Sequence, residues 1–208
     1  DVNTVYNVTW KSNVIYNNQN ISDGKTLSDA LIYWFNYYGD LYKIDPNIIA
    51  AQAFAESGFK LWNYAKTSTA SGINQFIVDT VFFVIIQNGL KNKNNNTEFN
   101  QNEINAILHN INSFDINTIK KNRHILHQNI IDNPEIMIKA QYVYMDYIGS
   151  KCDYLASTTL FGYNRGHGFV RKTYIDSILR ASWYKINYHL EGISYVEKIF
   201  NYLNKYFG

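Results

Sequence analysis

Cysteine is almost missing from this chain. Cys152 stands alone in 208 residues, which excludes an internal disulfide and a cysteine metal cluster. A lone thiol fits a reducing compartment somewhat better than an oxidising one and does not decide between them. Proline occurs only twice. Charge is also scarce: the formal net charge is +2, and no basic block concentrates it, so nucleic acid is not an expected partner. No apolar run reaches the roughly 20 residues of a membrane span. "VDTVFFVIIQNGL" comes closest and is too short, with polar ends. No signal peptide is visible and the first residue is Asp, so an excised domain or a processed product is expected.

Hydrophobic residues make up 46% of the chain, which places it among globular proteins. The length suits one domain with a substantial core, or one domain plus an appendage. The abundance of Asn and Ile reads as AT-rich coding bias rather than chemistry. Residues 1–25 are set apart: "TVYNVTW" and "NVIYNN" are rich in β-formers and end in turn signals, so a short extended arm or a linker is expected there.

Residues 26–208 carry a helical period. "TLSDALIYWFNYYGDLY" puts Leu27, Leu31, Trp34, Phe35 and Tyr38 on one stripe, with Gly39 as the expected stop. Asp45 and Pro46 supply a cap and a first-turn proline for the next helix, and Gly58 is placed to end it. Further helices are expected in "VDTVFFVIIQNGL", closed by Asn88-Gly89, and in "NEINAILHNINSF" after the polar loop "KNKNNNTEFNQN". Three more are expected in "NPEIMIKAQYVYMDYIGSKC", "FVRKTYIDSILRASWYK" and "SYVEKIFNYLNKYF". The fold class is therefore mainly α, a compact helical domain.

One residue breaks the pattern of the second helix. In "AQAFAESGFKLW", Glu56 stands among Ala50, Ala51, Ala53, Phe54 and Ala55. Ile49, Ala53 and Glu56 fall at i, i+4 and i+7, one face of a helix, so the carboxyl lies on an apolar face. Apolar burial raises a carboxyl pKa, and a raised pKa lets a glutamate hold a proton for a leaving oxygen at neutral pH. The plain alternative is a solvated glutamate in a last helical turn.

Four pieces follow one another in order: Glu56-Ser57, "ASGINQF" at 70–76, "FGYNRG" at 161–166 and "EGISYVEKIFNYLNKY" at 191–206. The order resembles the lytic transglycosylases of the soluble-lytic-transglycosylase type, which have a lysozyme-like fold. In that family a catalytic helix ends in Glu-Ser. A Gly-Leu-Met-Gln turn, an Ala-Tyr-Asn-Ala-Gly segment and a late Tyr-Val pair then follow. "YKIDPNIIAAQAFAESGF" is similar to the family's entry into the catalytic helix, and the resemblance spans roughly Leu41 to Tyr206. Ile73 and Asn74 replace the family's Leu and Met, and Gly162 and Arg165 replace its alanines.

The resemblance implies cleavage of the MurNAc–GlcNAc β-1,4 bond of peptidoglycan by Glu56 alone. The glutamate acts as acid and then as base, and the product is a 1,6-anhydro ring. It implies that Tyr163 hydrogen-bonds Glu56, that Ser57 and Gln75 hold the sugar, and that Asn164 and Tyr195 border the cleft. Each has a structural alternative: a core tyrosine for Tyr163, a helix-end hydroxyl for Ser57, a turn-stabilising amide for Gln75, a loop-shaping residue for Asn164 and a helical core position for Tyr195. Trp62 and Tyr64 are candidate sugar platforms or core aromatics. The glycine-rich "GYNRGHG" is expected to act as a loop that brings Arg165 to a stem-peptide carboxylate; a solvated arginine is the alternative.

Two other functions stay open. One is a hydrolase of the same fold, with Asp79 or another acid positioning water. The other is an inactive glycan-binding or structural module. His124 and His127 lack a third ligand, so no metal is expected, and no cofactor is expected either. The expected partner is the peptidoglycan strand. The expected place is virion-associated or extracytoplasmic, as part of a larger virion or cell-wall protein.

Overall fold

The computed structural model describes residues 27–87, 98–166 and 182–207, with side chains described for 29–87, 98–166 and 190–207. The expected arm over 1–25 lies outside the described residues, as do Asn88-Gly89, His167, the His189 side chain and most of 169–185. The described part is mostly helical. Its β pairing is limited to isolated bridges, Tyr64 with Ser71 and Ser71 with Phe76. Among the described residues no helix is long and apolar enough to cross a membrane.

Helix α1, Leu27–Tyr42, buries Leu31, Phe35 and Tyr38 and leaves Tyr33, Tyr37 and Leu41 exposed, as the helical period requires. Gly39 does not stop it. A Cβ there would lie 3.0 Å from the Ile44 carbonyl oxygen and 3.1 Å from both the Pro46 Cβ and the Tyr142 hydroxyl. The glycine is therefore a packing residue, and the chain turns at Lys43, in the left-handed region with φ 57°.

Helix α2, Pro46–Ser57, begins and ends where its local chemistry dictates. The Asp45 carboxylate accepts from the Asn47 N–H at 2.9 Å, and Pro46 fills the first turn. Gly58 takes φ 60° and donates its N–H to the Phe54 carbonyl at 2.8 Å. Ile49, Ala50, Ala51 and Ala53 are fully buried. Small side chains on several faces let neighbouring helices approach α2 closely.

Helix α3, Val78–Val81, widens into a π-helical segment, Phe82–Gln87. Helix α4, Gln101–Ile107, starts on a reciprocal cap between Asn100 and Glu103. It ends well before Phe114, where the sequence pattern led one to expect it. The Asn129 amide donates to the carbonyls of Ile107 and His109 at 2.8 and 2.7 Å, and Asn110 reverses the chain at φ 61°. Two short helices that periodicity did not announce follow: α5, Ile116–Lys121, and α6, Arg123–Asp132.

Helix α7, Pro134–Lys151, is largely buried and packs on α1, α8 and the π-helical segment. Its Tyr142 is fully buried and donates to the Phe35 carbonyl at 2.7 Å. Helix α8, Ala156–Arg165, contains Tyr163, Asn164 and Arg165. The expected loop is thus a helix up to Gly166. Helix α9, Ser182–Tyr206, lies against α2 and α8. Gly192 makes the α8 contact close: a Cβ there would come within 2.5 Å of the Phe161 ring.

Candidate active site

Glu56 lies in the last turn of α2 and meets two other elements, α9 and α8. It keeps partial surface access, yet its surroundings are mostly protein. Burial pushes its pKa from the ordinary 4.5 to about 7. The carbonyl end of a helix also disfavours an anion. Two groups on α9 act in the opposite direction, the Tyr195 hydroxyl and the Lys198 ammonium. Lys198 itself donates to the Ala55 carbonyl at 3.3 Å. Among the described residues no second carboxylate contributes to the Glu56 shift.

Tyr195 and Tyr163 stack in parallel, with ring centroids 6.4 Å apart and 2° between planes. Burial, with the Glu56 charge second, drives both hydroxyls well above the ordinary tyrosine range, so they remain neutral donors. Their targets differ from those the sequence suggested. Tyr163 donates to the Asn74 carbonyl at 3.0 Å, not to Glu56. Tyr195 is the tyrosine within reach of the Glu56 carboxyl, although its hydroxyl falls short of an aligned bond. Tyr163→Phe is accordingly expected to destabilise the fold by about 1 kcal/mol, the usual net worth of a buried hydrogen bond. Chemical denaturation of the variant measures it.

The turn after α2 is built from hydrogen bonds that use the remaining site candidates. Ser57 is buried and its hydroxyl donates to the Ile73 carbonyl at 2.6 Å, tying the end of α2 to the turn. Gln75 sits at φ 52° and donates its amide to the carbonyls of Asn63 and Gly72 at 3.1 and 2.9 Å. Both residues therefore hold the turn after α2 together, with their protons committed to backbone. Ser57→Ala leaves the Ile73 carbonyl without this donor and is expected to cost about 1–3 kcal/mol in the same measurement. Asn74 is fully buried and donates to the Met137 carbonyl at 2.7 Å, so the polar replacement in the turn anchors it to α7.

Asn164 is half-buried on α8, with a buried side-chain oxygen that has no hydrogen-bond partner among the described residues. Arg165 is only partly exposed and pairs with Glu191 of α9 at 3.2 Å. It braces two helices rather than riding on a glycine-rich loop. Trp62 is exposed at 40%. Tyr64 is covered by the Arg123 guanidinium, 5.3 Å from its centroid, and by the His127 ring at 4.5 Å.

Asp79 is exposed and paired with Lys120 at 2.9 Å. His124 is exposed, and His127 packs on Tyr64. Among the described residues no three His, Cys, Asp or Glu side chains gather as metal ligands.

Three residues on the elements around Glu56 escaped the sequence reading. Lys198 follows Tyr195 by three positions on one helix, a spacing that announces a shared face. Gln52 precedes Glu56 by four on α2, by the same rule. Gln141 has no local signal at all. Comparison with protein-family models, with curated proteins and with solved structures finds no match.

Proposed function

We propose that this protein is a peptidoglycan lytic transglycosylase in which Glu56 is both acid and base. One observation carries the reading. Glu56 is a carboxyl held near pKa 7 by burial, with no second carboxylate among the described residues acting on it. Glycosidases that use water or a protein nucleophile need two carboxyls, roughly 5–9.5 Å apart. A mechanism in which a substrate hydroxyl replaces water needs only one.

The steps balance without water. Protonated Glu56 gives its proton to the glycosidic oxygen as the C1–O4 bond breaks. The Glu56 carboxylate then takes the proton of the MurNAc C6 hydroxyl. The freed oxygen closes on C1, which gives a 1,6-anhydro ring and restores protonated Glu56. The attack is intramolecular, so orientation replaces a second protein base. The Tyr195 hydroxyl and Lys198 ammonium favour the carboxylate and so assist release of the proton in the acid half of the cycle.

The lysozyme-like order of the four sequence pieces supports this reading alongside the site. Asp79, the one acid named for a hydrolase that would use it or another to position water, is paired with Lys120. Mass spectrometry of digested cell wall is the test. Anhydro ends are expected. Reducing ends would mean a hydrolase, and an undigested wall would mean a glycan-holding module on a virion or cell-wall protein.

A further inference from the structure

Helix α9 brings one cation to the edge of the site, and its charge is left unbalanced. Lys198 is exposed, and its ammonium donates to the Ala55 carbonyl at 3.3 Å. It also stands 5.6 Å from the centroid of the Tyr202 ring. These two contacts hold the head of a side chain that solvent would otherwise leave loose. The Ala55 carbonyl and the Glu56 Cα belong to one planar peptide unit. The 3.3 Å bond to that oxygen therefore puts the ammonium within roughly 6 Å of the Glu56 Cα. The pull of Lys198 on the Glu56 carboxyl agrees with this placement.

No neighbouring acid cancels the charge. Among the described residues Lys198 enters no ion pair. Glu197 precedes it by one position on α9, and side chains one apart on a helix do not face each other. Glu191, on the same helix, is taken up by Arg165. The hydroxyls of Tyr163 and Tyr195 stay neutral. Glu56 itself is protonated below about pH 7. In its proton-donating form the site thus has a fixed positive charge beside a neutral acid.

A bond cleaved by Glu56 must lie within hydrogen-bond reach of its carboxyl. The sugars at that bond then come within a distance of the ammonium on the order of 10 Å, about one screening length at 0.1 M salt. Their substituents differ in charge. An N-acetyl group is neutral, a lactyl carboxyl is negative, and an amine that has lost its acetyl group is an ammonium. We propose that Lys198 is a specificity-determining residue: it lets the site take glycan that is neutral or acidic beside Glu56, and it turns away glycan whose amines are bare. The inference rests on the reading of this site as one that binds glycan, and adds which glycan it accepts.

The test is binding to the Glu56→Gln protein, which keeps a neutral side chain and cannot cleave. Titration calorimetry at pH 6 compares a chitin oligomer with the same oligomer stripped of its acetyl groups. The acetylated oligomer is expected to bind more tightly. Adding Lys198→Met is expected to tighten the stripped oligomer by about 3–10-fold, the scale of one screened like-charge contact, and to leave the acetylated one unchanged. Lys198→Arg keeps the charge and is expected to keep the discrimination. Added salt should narrow the gap more with Lys198 present than with Lys198→Met, a comparison that tests the charge rather than the fit of a new side chain. Equal changes on both oligomers would mean that Lys198 only closes the end of α2, and the inference falls. No change on either oligomer also overturns it. If neither oligomer binds, the glycan reading falls with it. If the stripped oligomer is rejected as expected but digested wall shows no anhydro ends, the charge filter stands and the transglycosylase reading falls. Anhydro ends from a site blind to the amine charge would mean the reverse.

Discussion

Glu56→Gln is expected to lower the clearing of a cell-wall suspension by several orders of magnitude while the protein stays folded. The amide keeps the shape of the carboxyl and has no transferable proton. General acid–base assistance contributes roughly 10²–10⁴-fold by itself. Here one group supplies both halves of the cycle, so both are lost together. The pH dependence of the parent protein has a definite sign. Glu56 must start protonated, and its pKa is near 7, so the rate is expected to fall as pH rises through that value. Near-parental clearing by folded Glu56→Gln would remove the residue from the chemistry. A clearing profile still rising between pH 7 and 9 would show that the protonated form is not the active one.

What could be read in the sequence was whatever is decided within one turn of chain. Asp45, Pro46 and Gly58 bracket α2 because caps and left-handed turns are local chemistry, and each stands where its residue type demands. The face that carries Glu56 followed from helical spacing. Distant contacts were not legible. Gly39 resembled a stop, but Tyr142, over a hundred positions away, comes so close that only a glycine fits there without a shift. The helix after Asn100 looked long enough to reach Phe114, but Asn129 from another helix caps it at Ile107 and His109. The tyrosine beside Glu56 was assigned to Tyr163. Which of two stacked rings reaches the carboxyl depends on the relative depth of α8 and α9, and a motif does not encode that. The same limit hid Gln141, whose partner Gln52 lies 89 positions away.

Burying this carboxyl costs stability, and the cost has its own pH signature. The Glu56 pKa is raised in the folded protein, from 4.5 to about 7. Below about 4.5 the group is neutral whether the chain is folded or not, and it carries no penalty. Between that value and about 7, the unfolded chain has released the proton and the folded one still holds it. The unfolded state then binds fewer protons, so stability declines as pH rises. Above about 7 the penalty levels off at up to about 3 kcal/mol, less whatever solvent at the partly exposed carboxyl screens. Gln has no charge to bury. Glu56→Gln is therefore expected to change the melting temperature little at pH 4. At pH 8 it should raise it by several degrees, since a domain of this size moves roughly 2–4 °C per kcal/mol. Calorimetry of both proteins at the two pH values decides the matter. A gain of the same size at pH 4 and pH 8 would mean that the amide simply packs better, and the folded state would then not be what holds the proton on Glu56.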